Sequence, residues 1–195
     1  MGEIRNKILN SSYILAITGA SGMLYAQIFL RYFYENKIPL CCLVSKVGQQ
    51  VWEWEMECPL EKALPPDISL YTEDDWSAPI ASGSVKAKAM VIMPCSMGTL
   101  AAIAQGLAHN LIQRTADVML KEKRTLILVP RETPLNVIHL KNMLSLAKAG
   151  AIVLPAMPGF YHKPKTIQDL ANFVVARILD LLGLEHKLIN PWEGI

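Results

Sequence analysis

Apolar residues in this chain fall into short, nearly unbroken runs, separated by longer stretches in which they recur every three or four positions. The runs lie at 13–18, 40–45, 89–93, 126–129 and 151–154, with a weaker one at 68–71. Runs of this length that do not alternate with polar residues suit strands of a parallel sheet covered on both faces. Residues 23–35, 47–57, 99–105, 111–122, 136–149 and 167–182 have helical spacing. In the last of these, Ile167, Leu170, Val174, Ile178 and Leu181 make the predicted apolar stripe, with Arg177 falling inside it. Strand and helix alternate, which predicts an α/β fold, a Rossmann-like three-layer sandwich on a mostly parallel sheet. Residues 1–195 read as one domain with a C-terminal tail over 184–195; that tail and the Pro-, Asp- and Ser-rich stretch 58–87 are the loop or arm candidates.

Composition narrows the classes. With 52% hydrophobic and 18% charged residues the chain is too apolar to be disordered. A formal charge of +2, with no block of like charges, predicts no nucleic-acid partner. No Asp, Glu, Lys or Arg occurs between Lys88 and Arg114, but Pro94, Ser96, Gly98, Gln105, His109 and Asn110 interrupt the stretch. It reads as strand, turn and helix, not as a membrane span. Glu3, Arg5 and Lys7 precede no long apolar segment, so no secretory peptide is expected. Cys41, Cys42, Cys58 and Cys95 form no C-x-x-C pair. Neither zinc nor disulfides are expected, and a cytoplasmic setting fits.

In an open parallel sheet, ligands bind beyond the carboxyl ends of the strands. The first strand runs into Gly19, Ala20, Ser21 and Gly22, a small-residue turn opening a helix whose free N–H groups suit an anion. The second ends at Ser45, ahead of a helix carrying Glu53, Glu55 and Glu57. The fourth runs into Pro94, Cys95, Ser96, Met97, Gly98 and Thr99, a second small, hydroxyl-bearing turn. The fifth ends with Arg131 and Glu132 framed by Pro130 and Pro134, and the sixth leads to a proline-stiffened loop presenting Tyr161. Arg114, Val118 and Lys121 share a helix face with Asp117 beside them, as a site or as a solvated face with an Asp117–Lys121 pair. Arg177, in its stripe, would snorkel or meet a buried anion.

Taken together, these junctions, with Ala81-Ser82-Gly83-Ser84 and Pro158-Gly159-Phe160-Tyr161-His162, resemble the flavin prenyltransferase (UbiX) family in order over nearly the whole chain. The resemblance implies an enzyme that moves a dimethylallyl group from dimethylallyl phosphate to N5 and C6 of reduced FMN, needing no metal, to make prenylated FMN for UbiD-type decarboxylases. It implies FMN contacts at Gly19, Ala20, Ser21, Ser45, Ser96, Met97, Gly98, Thr99 and Arg131. Dimethylallyl phosphate would meet Arg114, Lys121, Tyr161 and Arg177. Catalytic roles would fall to Ser21, Glu55, Glu132 and Trp192, the tryptophan offering its π face to the cationic prenyl fragment. A homo-oligomer, often a dodecamer with sites between subunits, is also implied. A flavin-dependent cysteine decarboxylase of similar fold is the alternative, although Cys95, Met97 and Gly98 depart from its turn and no histidine precedes His109. A flavin carrier without turnover is another.

Overall fold

A computed structural model describes residues 12–190. Strands β1 (Tyr13–Ile17), β2 (Leu40–Val44), β3 (Ser69–Thr72), β4 (Ala89–Cys95), β5 (Thr125–Pro130) and β6 (Ile152–Val153) form one sheet in the order β3-β2-β1-β4-β5-β6. Every neighbouring pair is parallel, so the sheet expected to be mostly parallel is wholly so. The helices are α1 (Met23–Glu35), α2 (Lys46–Met56), α3 (Leu60–Ala63), α4 (Met97–Ala104), α5 (Leu111–Lys121), α6 (Val137–Lys148) and α7 (Ile167–Leu181). Chain order reverses between β1 and β4, and at such a switch point the loops leave in opposite directions and open a crevice.

Strands β1, β2, β4 and β5 lack polar alternation because both of their faces are buried. In β1, Tyr13, Leu15 and Ile17 face one core while Ile14 and Ala16 face the other. The first core takes Phe29 and Phe33 of α1, Trp52 of α2, Leu60 of α3 and Val174 and Ile178 of α7. The second takes Leu100 of α4, Ile112 and Met119 of α5 and Leu146 of α6. Each large side chain moved fully out of water contributes about 1.5–3 kcal/mol, which explains why these positions are apolar along the chain.

Three local readings change. The stretch 58–87 holds the four-residue α3 and a 3₁₀ turn, Pro79–Ala81, with Ile80, Val85 and Ala87 buried. Residues 184–190 are docked: Leu184 and Leu188 pack on the first core, and the Tyr32 hydroxyl donates to the Glu185 carbonyl at 2.7 Å. The buried face of α7 is Ala171, Val174, Val175, Ala176, Ile178 and Leu179, whereas Ile167 is 76% exposed. Arg177 therefore lies outside the buried stripe, with its side chain 52% exposed. The stripe was misplaced because Ala171 and Ala176, small enough to pack closely, contribute little apolar signal. Among the described residues, no helix is long and apolar enough to cross a membrane.

Candidate functional site

At the carboxyl edge of the sheet the first turn is fixed by steric contact. A Cβ on Gly19 would lie 2.8 Å from the Val47 Cβ, and one on Gly48 would lie 2.6 Å from the Ile17 carbonyl oxygen. Gly22 has φ 117°, a left-handed conformation that disfavours other residues. No side chain of the turn itself caps α1. Glu55, on α2, supplies the acceptor instead, taking the Gly22 amide hydrogen at 2.9 Å and the Met23 amide hydrogen at 2.8 Å. The helix dipole and the carboxylate favour one another there.

Ser45 and Ser96 are the N-caps of α2 and α4, accepting from Gly48 N at 2.9 Å and Thr99 N at 3.3 Å. Ser96 Oγ also donates to Thr99 Oγ1 at 3.0 Å. Thr18 ties the first and fourth junctions together: its Oγ1 accepts from Ser96 N at 2.7 Å and donates to the Pro94 carbonyl at 2.8 Å. Sequence reasoning missed Thr18, whose one signal was a hydroxyl closing an apolar run. Met97 is buried in the second core, while a Cβ on Gly98 would meet nothing within 4 Å.

Arg131, after β5, reaches across the switch point and donates from Nε to the Ser21 carbonyl at 3.1 Å. Glu132 stays local, accepting from Thr133 N at 3.0 Å. Tyr25 was also missed. Its ring covers Gly22, where a Cβ would lie 2.8 Å away. Burial, foremost, pushes its phenol up, with Arg131 pulling down and Glu55 pushing up. Gly19, Ala20, Ser21, Ser45, Glu55, Ser96, Thr99, Arg131 and Glu132 thus share the carboxyl edge of β1, β2, β4 and β5.

The four residues expected to bind the donor do not come together in one chain. Arg114 and Lys121 lie on α5 and Arg177 on α7, and these helices cover opposite faces of the sheet. Arg114 donates from Nε to the Ala81 carbonyl at 3.1 Å and pairs with Asp117 at 2.9 Å; Lys121 pairs with Glu122, not with Asp117. Tyr161 and Arg177 line one cavity of about 670 Å³, where Arg177 pairs with Asp180 at 2.7 Å. Every one of the three cations therefore has a carboxylate beside it. Trp192 lies outside the described residues. Among the described residues, no group of three or more His, Cys, Asp or Glu side chains is placed to hold a metal.

A crevice with three helix N-termini, serine caps, an open glycine and an arginine suits a phosphate-bearing ligand with a flat ring system, because amides and a guanidinium meet the anion while small residues admit the ring. Comparison with known proteins agrees with this chemistry. The Flavoprotein family model matches residues 2–179. A flavin prenyltransferase UbiX from Halalkalibacterium halodurans is 48% identical over 190 residues, covering 92% of each chain. The crystal structure of AnUbiX (PadA1) in complex with FMN and dimethylallyl pyrophosphate superposes with TM-score 0.90 at 38% identity, covering 95% of this chain and 98% of that one. The dodecameric FMN-dependent Ubix-like decarboxylase from Escherichia coli O157:H7 gives TM-score 0.89 at 39% identity, covering 94% and 100%. With relatives this similar over nearly its full length, the chain belongs to the flavin prenyltransferase UbiX family.

Proposed function

We propose that this protein transfers a dimethylallyl group from dimethylallyl phosphate to N5 and C6 of reduced FMN, and that UbiD-type decarboxylases use the product. The observation that carries the reading is the convergence of Ser21, Gly22, Glu55 and Arg131 on one edge, an anion-accepting turn with a carboxylate at its mouth.

The turns at 19–22 and 96–99, with Ser45 and Arg131, hold FMN in the crevice. Reduced FMN supplies the nucleophilic positions. Arg114, Lys121, Tyr161 and Arg177 hold the donor phosphate. As its carbon–oxygen bond breaks, charge grows on the leaving phosphate, and the three cations, rather than a metal ion, stabilise it most at that point. Glu132 moves a proton at a phosphate oxygen, and Glu55, with Ser21, serves proton transfer at the flavin during ring closure, where the proton lost from C6 is balanced by one gained at the prenyl double bond. In this reading Trp192 supplies a π face for the cationic prenyl fragment.

Because α5 and α7 lie on opposite sides of the sheet, two copies of the chain complete each donor site in this reading. A homo-oligomer is further supported by α6, whose Val137, Ile138, Leu140 and Leu144 are all more than half exposed. A dodecamer is the proposed state. The four free cysteines suit a reducing, cytoplasmic compartment.

The test is to incubate the protein anaerobically with reduced FMN and dimethylallyl phosphate and weigh the flavin. A gain of one isoprenoid unit is expected. Unchanged flavin, alongside loss of carbon dioxide from a peptide ending in cysteine, would overturn the reading in favour of a cysteine decarboxylase.

A further inference from the structure

Glu73 follows β3, the edge strand, and all of its polar groups are engaged. Its N–H donates to the Val44 carbonyl at 3.0 Å and its carbonyl accepts from Leu111 N at 2.8 Å. Oε1 accepts from Lys46 N at 2.9 Å and Oε2 from Asn110 Nδ2 at 3.0 Å. Lys46 and Leu111 are the first residues of α2 and α5, and Ser45 and Asn110 are their N-caps. One half-buried carboxylate thus lies against the positive ends of two helices, where its charge is favoured. The Lys46 ammonium is engaged elsewhere, with Asp74 at 2.8 Å, so Glu73 grips that residue through its backbone.

We infer that Glu73 is a positioning residue, a clasp that sets the Ser45 turn and the helix bearing Arg114 and Lys121 at one spacing. The inference rests on the reading above, in which Ser45 serves FMN and the two cations serve the donor. Both partners of the carboxylate are donors, and only an acceptor-only group satisfies both. Asn110 has no freedom to invert its amide, because its Oδ1 already accepts from Gln113 N at 2.9 Å.

The chemistry makes the isostere Glu73→Gln informative. Its amide oxygen keeps the Lys46 N–H, which the backbone fixes, and its amide nitrogen then faces the Asn110 amide nitrogen, donor against donor. Asn110 must leave its cap, so the strain falls on α5 alone. In Glu73→Gln the kcat/KM for dimethylallyl phosphate falls about tenfold, as expected for a lost charge-assisted bond, while the FMN dissociation constant stays within about twofold. Hydrogen exchange at the Gln113 amide quickens while that at Gly48 does not. Glu73→Ala releases both helices, raising the FMN constant and lowering the donor kcat/KM. Equal shifts in both for Glu73→Gln, or no shift in either, would overturn the inference, and a generally loosened structure would show as faster exchange at Gly48 as well. Ser45→Ala and Lys121→Ala separate the two levels of argument. If they leave FMN affinity and donor kcat/KM unchanged, the site reading fails and takes this inference with it; if they alter both while the Glu73 variants do not, the clasp alone fails.

Discussion

The carboxylate of Glu55 accepts the amide hydrogen of Met23, the first residue of α1, at 2.8 Å, across 32 positions of sequence. A proton acceptor is thereby placed at the mouth of the turn at 19–22, and α1 receives a cap that its own turn does not provide. Replacing it with Gln keeps one acceptor and removes the base. Glu55→Gln is expected to slow prenylation about 10²-fold with little change in thermal midpoint. Single-turnover measurement of flavin mass checks this, and a wild-type rate would remove Glu55 from the chemistry.

Gly48 stands where the α2 helix meets the end of β1. A methyl group there would lie 2.6 Å from the Ile17 carbonyl and 3.0 Å from Ser45 Oγ, and the first neighbour is backbone that cannot yield cheaply. Gly48→Ala should cost about 1–3 kcal/mol in denaturant unfolding and should also weaken FMN binding, because Ser45 is displaced.

Arg177 is held by Asp180 in an open cavity with Tyr161. Inorganic phosphate is expected to raise the thermal midpoint, by binding the folded state alone. In Arg177→Ala that rise shrinks and the KM for dimethylallyl phosphate increases about tenfold or more. A midpoint indifferent to phosphate in both proteins would count against the cationic site.

The outward face of α6 presents Ile138 at 67% and Leu144 at 55% exposure. Water is a poor environment for such a stripe, and a second copy would bury it. Ile138→Glu combined with Leu144→Glu should shift sedimentation toward smaller species without lowering helical content. An unchanged oligomer would place the interface elsewhere.

Burial pushes the Cys41 and Cys95 thiols up to about 12 and Cys42 upward as well, while Cys58 is only partly buried. Thiolate is the reactive form, so at pH 8 Cys58 should be alkylated first and the other three only after unfolding. Mass spectrometry of the native and denatured protein after iodoacetamide treatment distinguishes them.

The sequence by itself determined the alternation of strand and helix and the junctions where chemistry gathers. Hydrophobic period is a local property, and small residues after an apolar run mark a turn wherever the strand ends in space. The tertiary structure decided what depends on distance and direction. It set the strand order that makes β1 and β4 a switch point and brought Glu55 back to Gly22. It carried Arg131 to Ser21, turned Arg177 outward and kept it across the sheet from Arg114. No spacing rule reaches these relationships, because a side chain's partner is chosen by which helix covers which face, and that follows from packing two cores at once.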